Sequence, residues 1–283
     1  MAGTFSRSVQ IFKESFEVLR QDKELVLFPI ISGIITILIT VSFMLPLAFL
    51  FANDNGDFKM NPFYYVVIFV LYLLGYFVVI FFNTGLIACA HIRLNGGDPS
   101  FRDGLHFAMN NLGKIFGWAL ISATVGLILR MIRERGGIFG AIAAGLVGIA
   151  WNLLTFFVIP VMIFENAGVF DSIKSSASLF KRTWGENVVL RFSVGFIIFL
   201  LALVGVIPIA LAALTKSAVV IILVAAVVVI YWAVLGVLSA SLNGIFAAAL
   251  YNYATTGTVP SAYSPEVIAG AFEQKERRGF FSR

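Results

Sequence analysis

Apolar positions along this chain fall into six long runs, near residues 25–52, 62–92, 115–132, 138–164, 188–214 and 218–253. About 20 apolar helical residues cross a hydrocarbon core, so each run predicts a membrane span. The segments between them show a different pattern. Phe5, Val9, Phe12, Phe16 and Leu19 recur at helical spacing, and so do Phe101, Leu105, Ala108, Leu112 and Ile115, and again Phe170, Ile173, Ala177, Phe180 and Trp184. Each set predicts one apolar stripe on a helix. The other faces carry polar residues such as Arg7, Lys13, Glu14, Arg102, Asn110, Lys174 and Lys181. An amphipathic helix beside a span is expected to lie in the membrane interface.

Each amphipathic helix directly precedes a pair of spans, and the second span of each pair carries one asparagine: Asn83, Asn152 and Asn243. Asn83 precedes Phe101 by 18 residues and Asn152 precedes Phe170 by the same 18. A shared register of this kind predicts an internal repeat. The expected fold is therefore all-α: a polytopic membrane helical bundle of six transmembrane helices, arranged as three hairpins each preceded by an amphipathic interfacial helix. The copies run about 5–98, 99–168 and 169–257, inside a single transmembrane domain 1–257. All three enter with one orientation, the relation of parallel repeats about an axis along the membrane normal, here a pseudo-threefold. Residues 258–283 form a basic amphipathic tail.

Composition sharpens this picture. The chain of 283 residues is 60% hydrophobic and 12% charged, with 29 phenylalanines; a soluble domain carries about twice that share of charge. The net charge of +5 then reads as membrane topology and attraction to anionic lipid, not as nucleic-acid binding. The first 24 residues are amphipathic and mixed in charge, unlike a cleavable signal peptide. Of the Lys and Arg residues, four lie before the first span, three in the second loop, four in the fourth and four in the tail, against five on the opposite side. By the positive-inside rule both termini are cytoplasmic, and the setting expected is the cytoplasmic membrane of a prokaryote. The single Cys89 reads as a small apolar residue, and no Cys/His spacing suggests a metal or other cofactor. No GxxxxGK[ST], HExxH or GxSxG occurs. The loops are short, and Asp98 and Asp103 read as a turn and a helix start. An enzyme is not expected.

Polar residues inside the spans are the candidate sites. The three asparagines lie deep, Asn83 about 15 Å along the helix from Arg93, as a midplane polar ring or as glue between helices. Gly136, Gly140, Ala144 and Gly148 lie four apart, as do Gly236, Ala240, Gly244 and Ala248, and both sets read as helix-packing faces. Glu165 and Arg191 flank the third amphipathic helix as a candidate interfacial ion pair. The stretch LILRMIRERGGIFG, 127–140, supplies three of the five cations on the sparse side. If Gly136-Gly137 is a turn at the outer surface, Arg130 lies about 10 Å below it. Arg130 and Arg133 are then either an anion site, most simply for a lipid headgroup, or snorkelling arginines on a short helix.

Three stretches together, IFKESFEVLRQDKELVLFPIISG (11–33), WALISATVGLILRMIRERGG (118–137) and IPVMIFENAGVFDSIKSSASLFKRTWGEN (159–187), resemble a family of prokaryotic six-span membrane proteins known only as a domain of unknown function. More loosely, the third is similar to the membrane domain of glycerophosphodiester phosphodiesterases through Pro160, Glu165 and Ser172–Ser178. The catalytic barrel of those enzymes has no counterpart here, so the resemblance implies a membrane module and no hydrolysis. Two functions follow: a non-enzymatic scaffold or accessory subunit partnering another membrane protein, or a small transporter, channel or lipid-handling protein. In the tail, Val267, Ile268, Ala271 and Phe272 share a face, followed by Lys275, Arg277, Arg278 and Arg283. A 262–283 peptide is expected to bind liposomes in proportion to their anionic lipid; binding independent of lipid charge would defeat that reading.

Overall fold

The computed structural model describes residues 2–52, 62–184 and 192–265. They are mostly helical, with no strand among them. In chain order the helices are α1 (Ala2–Gln21), α2 (Leu27–Ala52), α3 (Pro62–Leu94), α4 (Phe101–Asn110), α5 (Leu112–Arg135), α6 (Gly137–Leu154), α7 (Val158–Phe164), α8 (Val169–Trp184), α9 (Phe192–Val204), α10 (Val206–Leu214) and α11 (Ala218–Thr256). Six segments are long and apolar enough to cross a membrane: Lys23–Ala48, Tyr65–Leu94, Leu112–Arg135, Gly137–Phe164, Ile197–Leu214 and Ala218–Thr256. They coincide with the six runs read from the sequence. The tail beyond Pro265 and Arg191 lie outside the described residues.

The chain separates into two compact units. One comprises Leu27–Cys89 and Pro99–Ser178; the other comprises Met1–Val26, Ala90–Asp98 and Leu179–Arg283.

In the first unit α4 is seated on the preceding spans. Ser100 starts it as a capping box, its hydroxyl accepting from the Asp103 N–H while the Asp103 carboxylate accepts from the Ser100 N–H. The Ser100 hydroxyl, which also donates to the Asp103 carboxylate at 2.7 Å, and then the Ser100 N–H hold that exposed carboxyl below its ordinary range. Phe101 lies against Phe28 of α2, ring centres 4.6 Å apart. Gly104 faces Gly85 and Cys89 of α3 so closely that a Cβ on it would stand 2.7 Å from Cys89 Sγ and 2.8 Å from the Gly85 carbonyl oxygen.

Within the same unit α8 is seated on the fourth span, where the helix is broken. Residues 155–157 leave the helix between α6 and α7, and Pro160 removes a further backbone donor. Ser176 of α8 repairs the break. Its hydroxyl accepts from the Phe157 N–H at 3.0 Å and donates to the Leu154 carbonyl at 2.6 Å. The fifth span, in the other unit, breaks at Gly205 ahead of Pro208. There Tyr231 Oη donates to the Leu201 carbonyl at 2.7 Å and Trp232 Nε1 to the Ala202 carbonyl at 3.1 Å. Gly205 leaves the space for that indole, since a Cβ would stand 2.7 Å from its nitrogen.

In this second unit α1 packs on α9 and α11. Its buried face is Ile11, Ser15, Val18 and Leu19, the last from the expected stripe, and Ser15 shares a 2.7 Å hydrogen bond with the Tyr263 hydroxyl. The face differs from the stripe expected from phenylalanine spacing: Phe16 is 41% exposed, stacked beside Phe12. On α8 the buried residues are Ser172, Ser176 and Leu179, while Phe170 is 71% exposed. On α4 they are Gly104 and Ala108. Small residues make the seat because they permit close approach. Ile11, Val18 and Leu19 of α1 and Leu179 of α8 are buried with them, whereas Phe16 and Phe170 remain partly outside.

The second span of each pair changes character along its length. Thr84, Gly85 and Leu86–Ala90 in α3, Phe157–Ile163 at α7, and Gly244–Asn252 in α11 are buried, while the preceding residues are largely exposed in α6 and α11 and mostly half-buried in α3. Burial sets in close to each asparagine, from Phe82 beside Asn83, from Phe157 five residues after Asn152 and from Ser241 just before Asn243. Gly104→Ala is expected to lower stability by about 1–3 kcal/mol through overpacking. Gly113→Ala, where a Cβ meets nothing within 4 Å, should leave it unchanged. Equal melting temperatures for the two variants in detergent would refute the close seat.

Candidate functional site

The stretch 127–140 turns as its glycines demand. Gly136 caps α5 with its N–H bonded to the Ile132 carbonyl at 2.9 Å, and Gly137 opens α6 at a φ of 55°, a conformation glycine adopts without strain. Gly140 and Ala144 are buried and Gly148 meets Leu129 of α5, so the small-residue face of α6 packs on α5. Trp118 and Trp151 stack between the same helices with centres 5.8 Å apart. The matching face on α11 is used only at Gly244 and Ala248; Gly236 and Ala240 are exposed.

Away from this contact, α2, α3, α5 and α6 leave an open groove of about 640 Å³. Its lining is Thr36 and Thr40 of α2, Leu71, Tyr72, Gly75, Tyr76 and Val79 of α3, Gly126, Leu129, Arg130 and Arg133 of α5, and Ala141, Ala144 and Gly145 of α6. Gly126 admits the tyrosines, since a Cβ there would meet the Tyr76 hydroxyl at 3.1 Å. Gly75 and Gly145 face open space. The Thr40 hydroxyl donates to the Thr36 carbonyl, whereas the buried Thr36 hydroxyl has no hydrogen-bond partner among the described residues.

Arg130 and Arg133 thus line one groove, as their one-turn separation allows. Arg130 Nε donates to Glu134 Oε1 at 2.6 Å, both side chains less than a third exposed. Its Nη1 lies 3.5 Å from the Tyr72 hydroxyl. Arg133 forms no ion pair among the described residues and is exposed. The tyrosines were not singled out by sequence pattern; the signal available was their one-turn spacing on an otherwise apolar span.

The other candidates stand apart from this groove. Asn243 is exposed and donates to the Ser239 carbonyl of its own helix at 2.8 Å. Asn152 is exposed and Asn83 half-buried. Glu165 ends α7 as an exposed residue, and its expected partner Arg191 lies outside the described residues. The cation that does bind the end of α7 is Lys114, which donates to the Met162 carbonyl and to the Asn166 side chain.

The pattern of a family of unknown function (DUF6159) matches residues 62–261. The chain belongs to that family. No curated protein and no solved structure matches it. The family region contains α3 to α11, and so the groove residues of α3, α5 and α6 together with the Gly136-Gly137 turn.

A second polar cluster lies in the other unit. Arg93 at the end of α3 sits 3.5 Å from buried Asp22 and also pairs with exposed Asp98. Asn252 of α11 donates to Asn95 at 3.2 Å. Burial pushes the Asp22 carboxyl above its usual range, against the opposing pull of Arg93. A raised folded-state pKa means stability present below the unfolded value, near about 4, and lost as pH rises through the folded value. Asp22→Asn is expected to flatten the fall in melting temperature as pH rises above about 4, and Arg93→Gln to steepen it. Identical pH profiles for Asp22→Asn and wild type would remove this account.

Proposed function

We propose that this chain is a non-enzymatic multi-pass membrane protein that holds an anionic amphiphile, a phosphate-bearing lipid, in the groove between α2, α3, α5 and α6. The observation that carries this is the joint lining of one open groove by Arg130, Arg133, Tyr72 and Tyr76 together with Leu71, Val79, Leu129, Ala141 and Ala144. Charge there recruits an anion, and apolar walls suit hydrocarbon. Cations inside a span are costly unless paired or functional. Arg130 is paired with Glu134, but Arg133 is not paired among the described residues. Arg133 is exposed, so its charge is available to an anionic ligand.

The wider setting follows the sequence reading. Both termini are cytoplasmic, in the cytoplasmic membrane of a prokaryote, so the groove opens in the outer leaflet. The three hairpins are copies related by a pseudo-threefold axis. The seats of the amphipathic helices support this: α4 rests on the first hairpin, α8 on the second, and α1 on the third. α4 and α8 each meet the run that follows an asparagine of the second span.

The test is the lipid retained by protein purified in mild detergent. Arg130→Gln with Arg133→Gln is expected to reduce co-purified anionic lipid by about tenfold or more, the loss of charge-assisted hydrogen bonds. Gly145→Leu, which fills the apolar wall without changing charge, should reduce it as well. Unchanged lipid content in the arginine pair removes the site. Full displacement by millimolar inorganic phosphate would assign the groove to a free anion.

A further inference from the structure

Glu134 is an unusual residue to find beside the groove. It lies in the last turn of α5, where the helix macrodipole disfavours a negative charge. It also follows Arg130 by four residues, the less favourable order for an ion pair on a helix. Neither helix stability nor pairing order calls for a carboxylate here. Yet its Oε1 is bonded to Arg130 Nε at 2.6 Å, with both side chains mostly covered.

The consequence is a fixed charge count. Among the described residues the groove's ionic groups are the two arginines and Glu134 as the direct partner of one of them. Two positive charges less one negative leaves a single positive charge. Resting on the groove reading above, we propose that Glu134 is a specificity-determining residue that tunes the groove to monoanionic phosphodiester headgroups and against dianionic phosphomonoesters.

The chemistry that separates these ligands is simple. A phosphodiester carries one negative charge at neutral pH. A phosphomonoester carries nearly two, because its second pKa is near about 6. One uncompensated arginine matches the first. A dianion would meet the same arginine together with the Glu134 carboxylate, and like charges in a partly desolvated site repel strongly. Arg133 supplies the main cation. Arg130, already engaged by Glu134, contributes mainly direction: it reaches the Tyr72 oxygen at 3.5 Å, which leaves the Tyr72 proton to donate to a phosphate oxygen.

The experiment uses the full chain in nanodiscs of zwitterionic lipid at pH 8, doped with either a phosphatidylglycerol-type diester or a phosphatidic-acid-type monoester, with bound lipid counted by native mass spectrometry. Wild type is expected to prefer the diester. Glu134→Gln should bind the monoester about tenfold better than wild type, reversing the order, while Glu134→Asp, which keeps the charge, should retain the wild-type order. Both lipids bound by wild type with an unchanged ratio in Glu134→Gln would overturn this assignment and leave the groove reading standing. Binding of neither lipid by wild type, or binding indifferent to the arginine pair, would overturn both.

Discussion

Backbone N–H and C=O groups in hydrocarbon have no water to turn to, and an unmet one costs several kcal/mol. Much of this fold follows from how that constraint is met where spans break. The fourth span loses helical bonding at residues 155–157, and the fifth at Gly205. A continuous helix would need no help at either place. Here Ser176, Tyr231 and Trp232 supply the missing partners. The repair has a structural return. It ties α8 to the fourth span and the fifth span to α11, so that breaks in single helices become joints between elements.

The same constraint shapes the side chains. Asn243 satisfies its amide within its own helix, and Thr40 does the same with its hydroxyl. Lys114 binds the open carbonyl end of α7. Arg133 differs from these in lining the groove with no ion pair among the described residues.

Much of the architecture was legible because hydrophobicity in a membrane chain is coarse and strong. The six apolar runs, the Gly136-Gly137 turn and the helix start at Ser100 all followed from local chemistry. The faces of the amphipathic helices did not. Large apolar residues draw attention to a stripe through Phe5, Phe12 and Phe16, yet the seat is built on Ile11, Ser15 and Val18 on α1, and on Ser172 and Ser176 on α8. Between helices in lipid, closeness matters more than apolar area, so small and hydroxylic residues mark the contact. Arg130 and Arg133 were visible as an anomaly of charge. Tyr72, Tyr76 and the two threonines could not be joined to them from sequence, since the groove is assembled from four helices spread over a hundred residues. The asparagines were legible as a recurring feature; their placement at the onset of each buried run was not, because burial depends on which helix arrives to cover it.

The seat of α1 carries a consequence for synthesis. Ribosomes deliver the chain from its N-terminus, and domains generally fold as they emerge. The helices α4 and α8 each follow their seats in sequence and can dock as soon as they are made. The seat of α1 lies on α9 and α11, and its bond from Ser15 reaches Tyr263, so the first helix made is the last to be placed. Its amphipathic faces let it wait at the membrane surface, and the long separation slows closure far more than it weakens the closed state. A ribosome halted anywhere before the final span would leave this protein with its first helix still unhoused.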